Sequence, residues 1–251
     1  MNTKIKQIAI SGGNGNMGIL LSDLIDQNKS YEISGIYDPV SNSQKYNNFA
    51  TYSDIKADYL FEFSPADKIN ENINNQLNIE NNYSLIVGSS GLTDESIDNL
   101  KKLSKNKLVI VIPNFSIGAS YQKLISILIA EEFSNKNIVE KHHSNKKDKP
   151  SGTSIDVAKS INTEKNKITD SDAKNNFNII NNLKIESIRS DEYLAEQIVN
   201  MSNESEIFIT EHIVKDRKAY LSGINLVLDN LSMLDGYYFG LESILKDRFK
   251  I

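Results

Sequence analysis

Over residues 1–115, short apolar runs alternate with stretches whose apolar positions recur at helical spacing. Residues 5–11 form a strand-length run around Ile8, Ala9 and Ile10. A glycine-rich turn follows, and then Ile19, Leu20, Leu21, Leu24 and Ile25 take the spacing of a helix. Further strands are predicted over 31–37, 58–63, 83–87 and 108–112, with helices over 66–77 and after Thr93. Thr93 reads as an N-cap, with Asp94 and Glu95 in the first turn and Ile97, Leu100 and Leu103 inward. Strands interleaved with helices predict a parallel sheet covered on both faces, and ligands bind beyond the carboxyl ends of such strands.

The pattern changes near residue 115. A helix is expected over 120–133, a strand over 138–141, and an exposed, Asn/Lys-rich loop with part of a helix over 162–182. Strands are expected over 183–189 and 207–214 and a less regular one over 192–201. Helical spacing recurs over 220–233 and 236–249. The fold class is therefore α/β, a Rossmann-type parallel-sheet nucleotide domain joined to an α+β domain.

Composition narrows the function. Among 251 residues the net charge is -5, which argues against a nucleic-acid binder. There is no cysteine, so thiolate metal sites and cysteine nucleophiles are excluded. No run approaches the ~18 apolar residues of a membrane span, and no signal-peptide pattern follows Met1, so the expectation is a soluble cytoplasmic protein.

Two stretches carry chemistry. Gly12, Gly13, Asn14, Gly15, Asn16, Met17 and Gly18 fit both G-x-G-x-x-G and G-x-x-G-x-x-G, between a strand and a helix. Such a turn brings backbone amides and a helix N-terminus to a pyrophosphate. Asp38, 20 residues past Gly18 at the end of the second strand, is placed to bond the adenosine ribose hydroxyls. Gly88, Ser89 and Ser90, and Ile112, Pro113, Asn114 and Phe115, fall at the ends of two further strands, where the nicotinamide side would lie. The second stretch runs from His142 to Ser154. It gathers His142, His143, Lys146, Lys147 and Asp148 ahead of Pro150-Ser151-Gly152-Thr153. A helix starting at Ser151 presents amides and hydroxyls to a carboxylate, and a histidine relays protons near neutral pH. Only one other histidine exists, His212, and no acidic cluster brackets the pair, so no metal site is expected.

The run Glu140-x-His142-His143-x-x-Lys146-x-Asp148-x-Pro150-Ser151-Gly152-Thr153 resembles the signature of the 4-hydroxy-tetrahydrodipicolinate reductase (dihydrodipicolinate reductase) family of lysine and diaminopimelate biosynthesis. The likeness extends to the glycine turn, to Gly88-Ser89-Ser90-Gly91, to Pro113-Asn114-Phe115-Ser116-Ile117-Gly118, and weakly to Ser187-Ile188-Arg189 and to His212 through Arg217. The resemblance implies NADH and/or NADPH on residues 12–17, Asp38, 88–90 and 112–115. It implies His142 as proton donor and acceptor, Lys146 as a second donor, and His143, Ser151, Gly152 and Thr153 on a small cyclic dicarboxylate. It further implies a homotetramer joined through the second domains, and a discontinuous nucleotide domain of 1–115 and 218–251 around a substrate-binding and oligomerisation domain of 116–217.

The sequence departs from the family at 190–193 and at Ala195-Glu196-Gln197, where a glycine-containing turn and Gly-Glu-His are usual. Asp38 is followed by Pro39 with no arginine beside it and only Lys45 nearby, so NADH is expected to serve at least as well as NADPH. Two other readings share the first domain: another Rossmann oxidoreductase for a small acidic substrate, which has no need of the Ser-Gly-Thr site, and a non-catalytic nucleotide sensor, which has no need of His142 and Lys146.

Overall fold

The computed structural model describes residues 5–164, 166 and 177–249. The chain divides into two compact units, residues 1–115 with 221–251, and residues 116–220. Residues 218–220, expected in the nucleotide domain, complete the 3-10 turn Arg217–Tyr220 of the second unit.

The first unit is built on a six-stranded, wholly parallel sheet. Its strands are β1 (Lys6–Ser11), β2 (Tyr31–Tyr37), β3 (Tyr59–Glu62), β4 (Ser84–Val87), β5 (Val109–Val111) and β11 (Tyr237–Phe239), in the order β11-β5-β4-β3-β1-β2. Strands β3 and β5 are buried along their whole length, as a sheet covered on both faces demands. Helices α1 (Asn16–Ile25), α2 (Ile69–Leu77) and α3 (Asp94–Leu103) follow β1, β3 and β4. Thr93 caps α3 as expected, its hydroxyl accepting from the Ser96 amide at 3.2 Å. The chain leaves β1 to one side for β2 and returns to its other side for β3. That reversal opens a crevice at the carboxyl end of β1, where the glycine turn lies.

The sequence pattern of 236–249 predicts one helix, and the structure corrects this. Gly236 and Gly240 take left-handed φ values of +82° and +77°. Between them Tyr-Tyr-Phe pairs with β5, closed by Val109 N donating to Gly236 O and Gly240 N to Val111 O. Only Leu241–Phe249 is helical (α7), after α6 at Leu221–Asn230. Three aromatic residues between two glycines favour an edge strand over the helix that their spacing alone suggested.

The second unit carries a mixed five-stranded sheet, β10-β9-β6-β8-β7. Its strands are β6 (Asn135–His142), β7 (Asn178–Ile180), β8 (Leu183–Arg189), β9 (Ala195–Ser202) and β10 (Ile207–Val214), and β6 and β8 run parallel. Helices α4 (Ile117–Ile129) and α5 (Gly152–Ser160) precede and follow β6. The core joins Ile138, Leu183, Ile185, Val199 and Met201 of the sheet to Val157, Ala158 and Ile161.

Helix α4 begins earlier than its apolar stripe indicated because Ser116 caps it. The expected loop over 162–182 contains β7, joined to β8 by Asn181-Asn182 with φ of 50° and 56°. A two-residue turn with both φ positive is the hairpin connection that asparagine tolerates. Residues 165 and 167–176 of that predicted loop lie outside the described residues. The altered segment 190–197 does not disturb the sheet: β9 pairs in unbroken antiparallel register with β6 and β10.

Candidate functional site

In the first unit, packing explains the glycines. A Cβ on Gly18 would stand 2.5 Å from the Gly13 backbone, so the helix start is pressed against the turn. A Cβ on Gly15 would meet only Gly12 O, at 3.2 Å, so that position is open outward, where a ligand phosphate would approach the backbone. Asp38 ends β2 beside this turn. Its carboxylate accepts from Asn14 N at 3.3 Å and from the amides of Val40 at 3.0 Å and Ser41 at 3.3 Å. Asn14 in turn donates to Ser41 O at 2.8 Å. Lys45 is ion-paired with Asp26, which also accepts from Tyr46.

At the other strand ends, Gly88 lies against the rings of Phe63 and Phe115, which themselves meet edge-on at 5.9 Å. Ser89 is buried and donates to Glu62 O at 3.2 Å, whereas Ser90 and Pro113 are exposed. Ile112 and Phe115 are buried, so Ile112 offers a ligand backbone rather than side chain. The residues present fit a dinucleotide: a backbone cradle at a helix start, a carboxylate at the end of β2, and open backbone at the ends of β4 and β5.

One group beneath this surface was not anticipated. Glu62, at the end of β3, has no solvent exposure. It accepts from Tyr52 Oη at 2.7 Å, Gln76 Nε2 at 2.8 Å and Ser64 N at 3.0 Å. Tyr52 also meets Ser11 Oγ at 2.9 Å, and burial, followed by the Glu62 charge, pushes its phenol far above the ordinary range. The carboxylate thereby ties the segment after Asp38 to the ends of β1 and β3. Sequence offered a signal only in retrospect, an acid inside an otherwise apolar strand.

In the second unit, His142 is the last residue of β6. Its Nδ1 lies against Oε2 of Glu140, two residues earlier on the same face. Glu140 is fully buried and its Oε1 accepts from Arg189 Nη2 at 2.9 Å. Burial would raise its pKa, but the neighbouring His142, Ser187 and Arg189 hold it down at about 2. Arg189 stands opposite His142 in the parallel pairing of β6 and β8. It also donates to the carbonyls of Asp148 at 2.6 Å and Lys146 at 3.3 Å. Lys146 pairs with Asp148 at 2.8 Å, and its amide closes a turn on His143 O at 3.1 Å. The structure thus brings His142 and the loop bearing Lys146 onto one buried ion pair.

Helix α5 starts where the sequence placed it. Ser151 is its N-cap, and Ser151 Oγ lies 2.9 Å from Ser154 Oγ. That hydroxyl, 3% exposed and engaged in capping, faces inward, while Gly152 is exposed and a Cβ there would meet nothing within 4 Å. The first two residues of the helix, at its positive end, are Gly152 and Thr153. His212 lies apart, on β10, with Nε2 3.0 Å from Ser116 Oγ and its pKa lowered by burial. No group of three or more His, Asp or Glu is placed to hold a metal ion among the described residues, nor is any described helix long and apolar enough to cross a membrane.

Comparison with known proteins follows the same division. Residues 6–115 match the family model for the N-terminus of dihydrodipicolinate reductase, and residues 119–245 match that for its C-terminus. A 4-hydroxy-tetrahydrodipicolinate reductase of Legionella pneumophila (strain Philadelphia 1) is 31% identical over 95% of this chain and 99% of its own length. One from Streptococcus uberis is 27% identical with the same coverage. Among solved structures, a dipicolinate-bound dihydrodipicolinate reductase from Paenisporosarcina sp. TG-14 superposes with a TM-score of 0.76. It covers 96% of this chain and 100% of its own, at 24% identity, and so shares the fold.

Proposed function

The chain belongs to the dihydrodipicolinate reductase family, and from that premise we propose which of its residues perform the reaction and which nicotinamide cofactor they favour. It reduces 4-hydroxy-tetrahydrodipicolinate to tetrahydrodipicolinate in lysine and diaminopimelate biosynthesis with a nicotinamide cofactor. The cofactor supplies a hydride. Loss of the substrate hydroxyl as water leaves a conjugated C=C–C=N system that accepts it, and a proton completes the reduction.

His142 delivers and takes up that proton, with Lys146 as a second donor. Gly152 and Thr153, at the positive end of α5, grip a carboxylate together with His143. Ser151 serves this grip as the cap that sets the helix start. The observation that carries the assignment is the His142–Glu140–Arg189 chain, which gathers both proton-handling residues just ahead of α5. Gly12 to Met17, Asp38, Gly88 to Ser90 and Ile112 to Phe115 hold the dinucleotide.

Asp38 repels a 2′-phosphate and Lys45 is engaged by Asp26, so NADH serves at least as well as NADPH. Assembly into a homotetramer is supported by the exposed face of the second sheet. Ile207, Ile209 and Ile213 stand exposed on one side of the outer strand β10, and Ile198 and Val139 continue that face inward. Light scattering on the purified chain measures the assembly directly.

The deciding assay is oxidation of NADH or NADPH coupled to the product of dihydrodipicolinate synthase, scored against sugar and semialdehyde substrates. Turnover confined to the synthase product is expected. Faster turnover of a sugar or semialdehyde would overturn the assignment.

A further inference from the structure

We propose that Glu140 and Arg189 are positioning residues for the proton-handling pair. Glu140 holds the His142 ring by Nδ1, and Arg189 ties the loop carrying Lys146 to the same carboxylate. The proposal rests on His142 and Lys146 being the proton donors.

Donor and acceptor bookkeeping supports it. An ionised carboxylate only accepts, and Glu140 has one oxygen on Arg189 and the other against His142 Nδ1. With its charge stabilised by the Arg189 guanidinium and the adjacent His142 ring, the carboxyl stays ionised through the neutral range. The ring nitrogen facing it must then carry a proton. A neutral His142 is left with Nε2 bare and pointing away from Glu140, ready to take up a proton and return it. This is the arrangement by which a buried acid fixes a catalytic histidine's tautomer.

Arg189 is spent in the same way. Its guanidinium donates to Glu140, to Ile188 O at 2.8 Å, and to the carbonyls of Asp148 and Lys146, with its side chain 7% exposed. A lysine at this position keeps the charge but lacks the fork that reaches carboxylate and loop together. Glu140 lies on the same strand as His142, Arg189 comes from β8 through Glu140, and Lys146 and Asp148 in the following loop pair with each other. Ala195 of β9 stands opposite His142 without charge.

The test reads the tautomer itself in the full chain. Three histidines make nitrogen-15 correlation spectra assignable, with His143→Gln and His212→Gln to sort the signals. At a pH where the ring is neutral, His142 is expected as the Nδ1–H form. In Glu140→Gln the single amide oxygen turns to Arg189 and its NH2 group to Nδ1, which flips the ring to the Nε2–H form. In that variant kcat falls about 100-fold, KM for NADH holds, and the alkaline limb of the pH profile moves to lower pH. Arg189→Lys is expected to keep the His142 tautomer while lowering kcat, and an unchanged kcat in that variant would remove Arg189 from the proposal.

An Nε2–H ring in the unmodified protein overturns the proposal even if Glu140→Gln does not fold. So does a folded Glu140→Gln with an unchanged tautomer and pH profile. Failure of the functional assignment shows separately, as an unmodified protein that does not turn over the synthase product while the tautomer is as expected.

Discussion

Gln122 of α4 and Gln197 of β9 bond each other twice: Gln122 Nε2 donates to Gln197 O at 2.9 Å, and Gln197 Nε2 donates to Gln122 Oε1 at 3.0 Å. The remaining oxygen of Gln197 accepts from Ser154 Oγ at 2.7 Å, and Gln122 reaches on to Thr210 O at 2.9 Å. All three side chains are buried. The start of α5, and with it the proposed carboxylate grip, is thus braced against the sheet through Gln197. Gln197→Leu removes the donor to Gln122 Oε1 and the Gln197 oxygen that accepts from Ser154 Oγ. It is expected to cost about 1–3 kcal/mol of stability, read as a lowered denaturation midpoint. A combined Gln122→Leu and Gln197→Leu protein should lose less than the sum of the two single losses, because both remove the bond from Gln197 Nε2 to Gln122 Oε1.

The proposed cofactor choice turns on one charge. Asp38→Asn keeps an acceptor for the Val40 and Ser41 amides but removes the negative charge beside the glycine turn. KM for NADH should rise about tenfold, the scale of losing one charge-assisted hydrogen bond, and KM for NADPH should fall. Steady-state kinetics with both cofactors measure the ratio. A large NADPH preference in the unmodified protein would refute the reading of Asp38 and Lys45.

For the chemistry, His142→Gln and Lys146→Ala are each expected to lower kcat at least ~100-fold, the usual scale of losing a general acid. Gly152→Ala should do much less to folding, since a Cβ there meets no neighbour, and its effect should appear in KM for the substrate. Thermal unfolding of each variant separates these outcomes from loss of fold. Rates equal to the unmodified protein in His142→Gln would remove it from the proton-handling role.

Local signals carried far along this chain. The strand, glycine turn and helix of residues 5–25, the Thr93 cap and the helix start at Ser151 are all written in short-range sequence, because each depends on neighbours within a few positions. What depended on distant pairing was not legible. Tyr237–Phe239 reads as strand only once β5 offers it an edge. Arg189 acquires a role only because β6 and β8 run parallel and set it opposite His142. Ser151 passed for a ligand-facing hydroxyl because composition cannot tell a cap that turns inward from one that turns out. Glu140 sat in plain view two positions before His142, and the period of a strand already placed both on one face.

Glu140 also sets an expectation for acid. Burial by itself opposes its ionisation, yet its neighbours His142, Ser187 and Arg189 lower its pKa from 4.5 to about 2. A carboxyl held below its unfolded value contributes stability that is fully present above the unfolded pKa. That contribution is lost as pH falls through the folded one. The gap in urea midpoint between the unmodified protein and Glu140→Gln should therefore be widest above pH 4.5 and close progressively down to about pH 2. Other acids with lowered pKa, Asp26 and Asp148 among them, titrate in both proteins and cancel from the difference. A gap that stays constant between pH 5 and pH 2 would mean that the Glu140 charge contributes nothing to folding, and that its burial reflects packing alone.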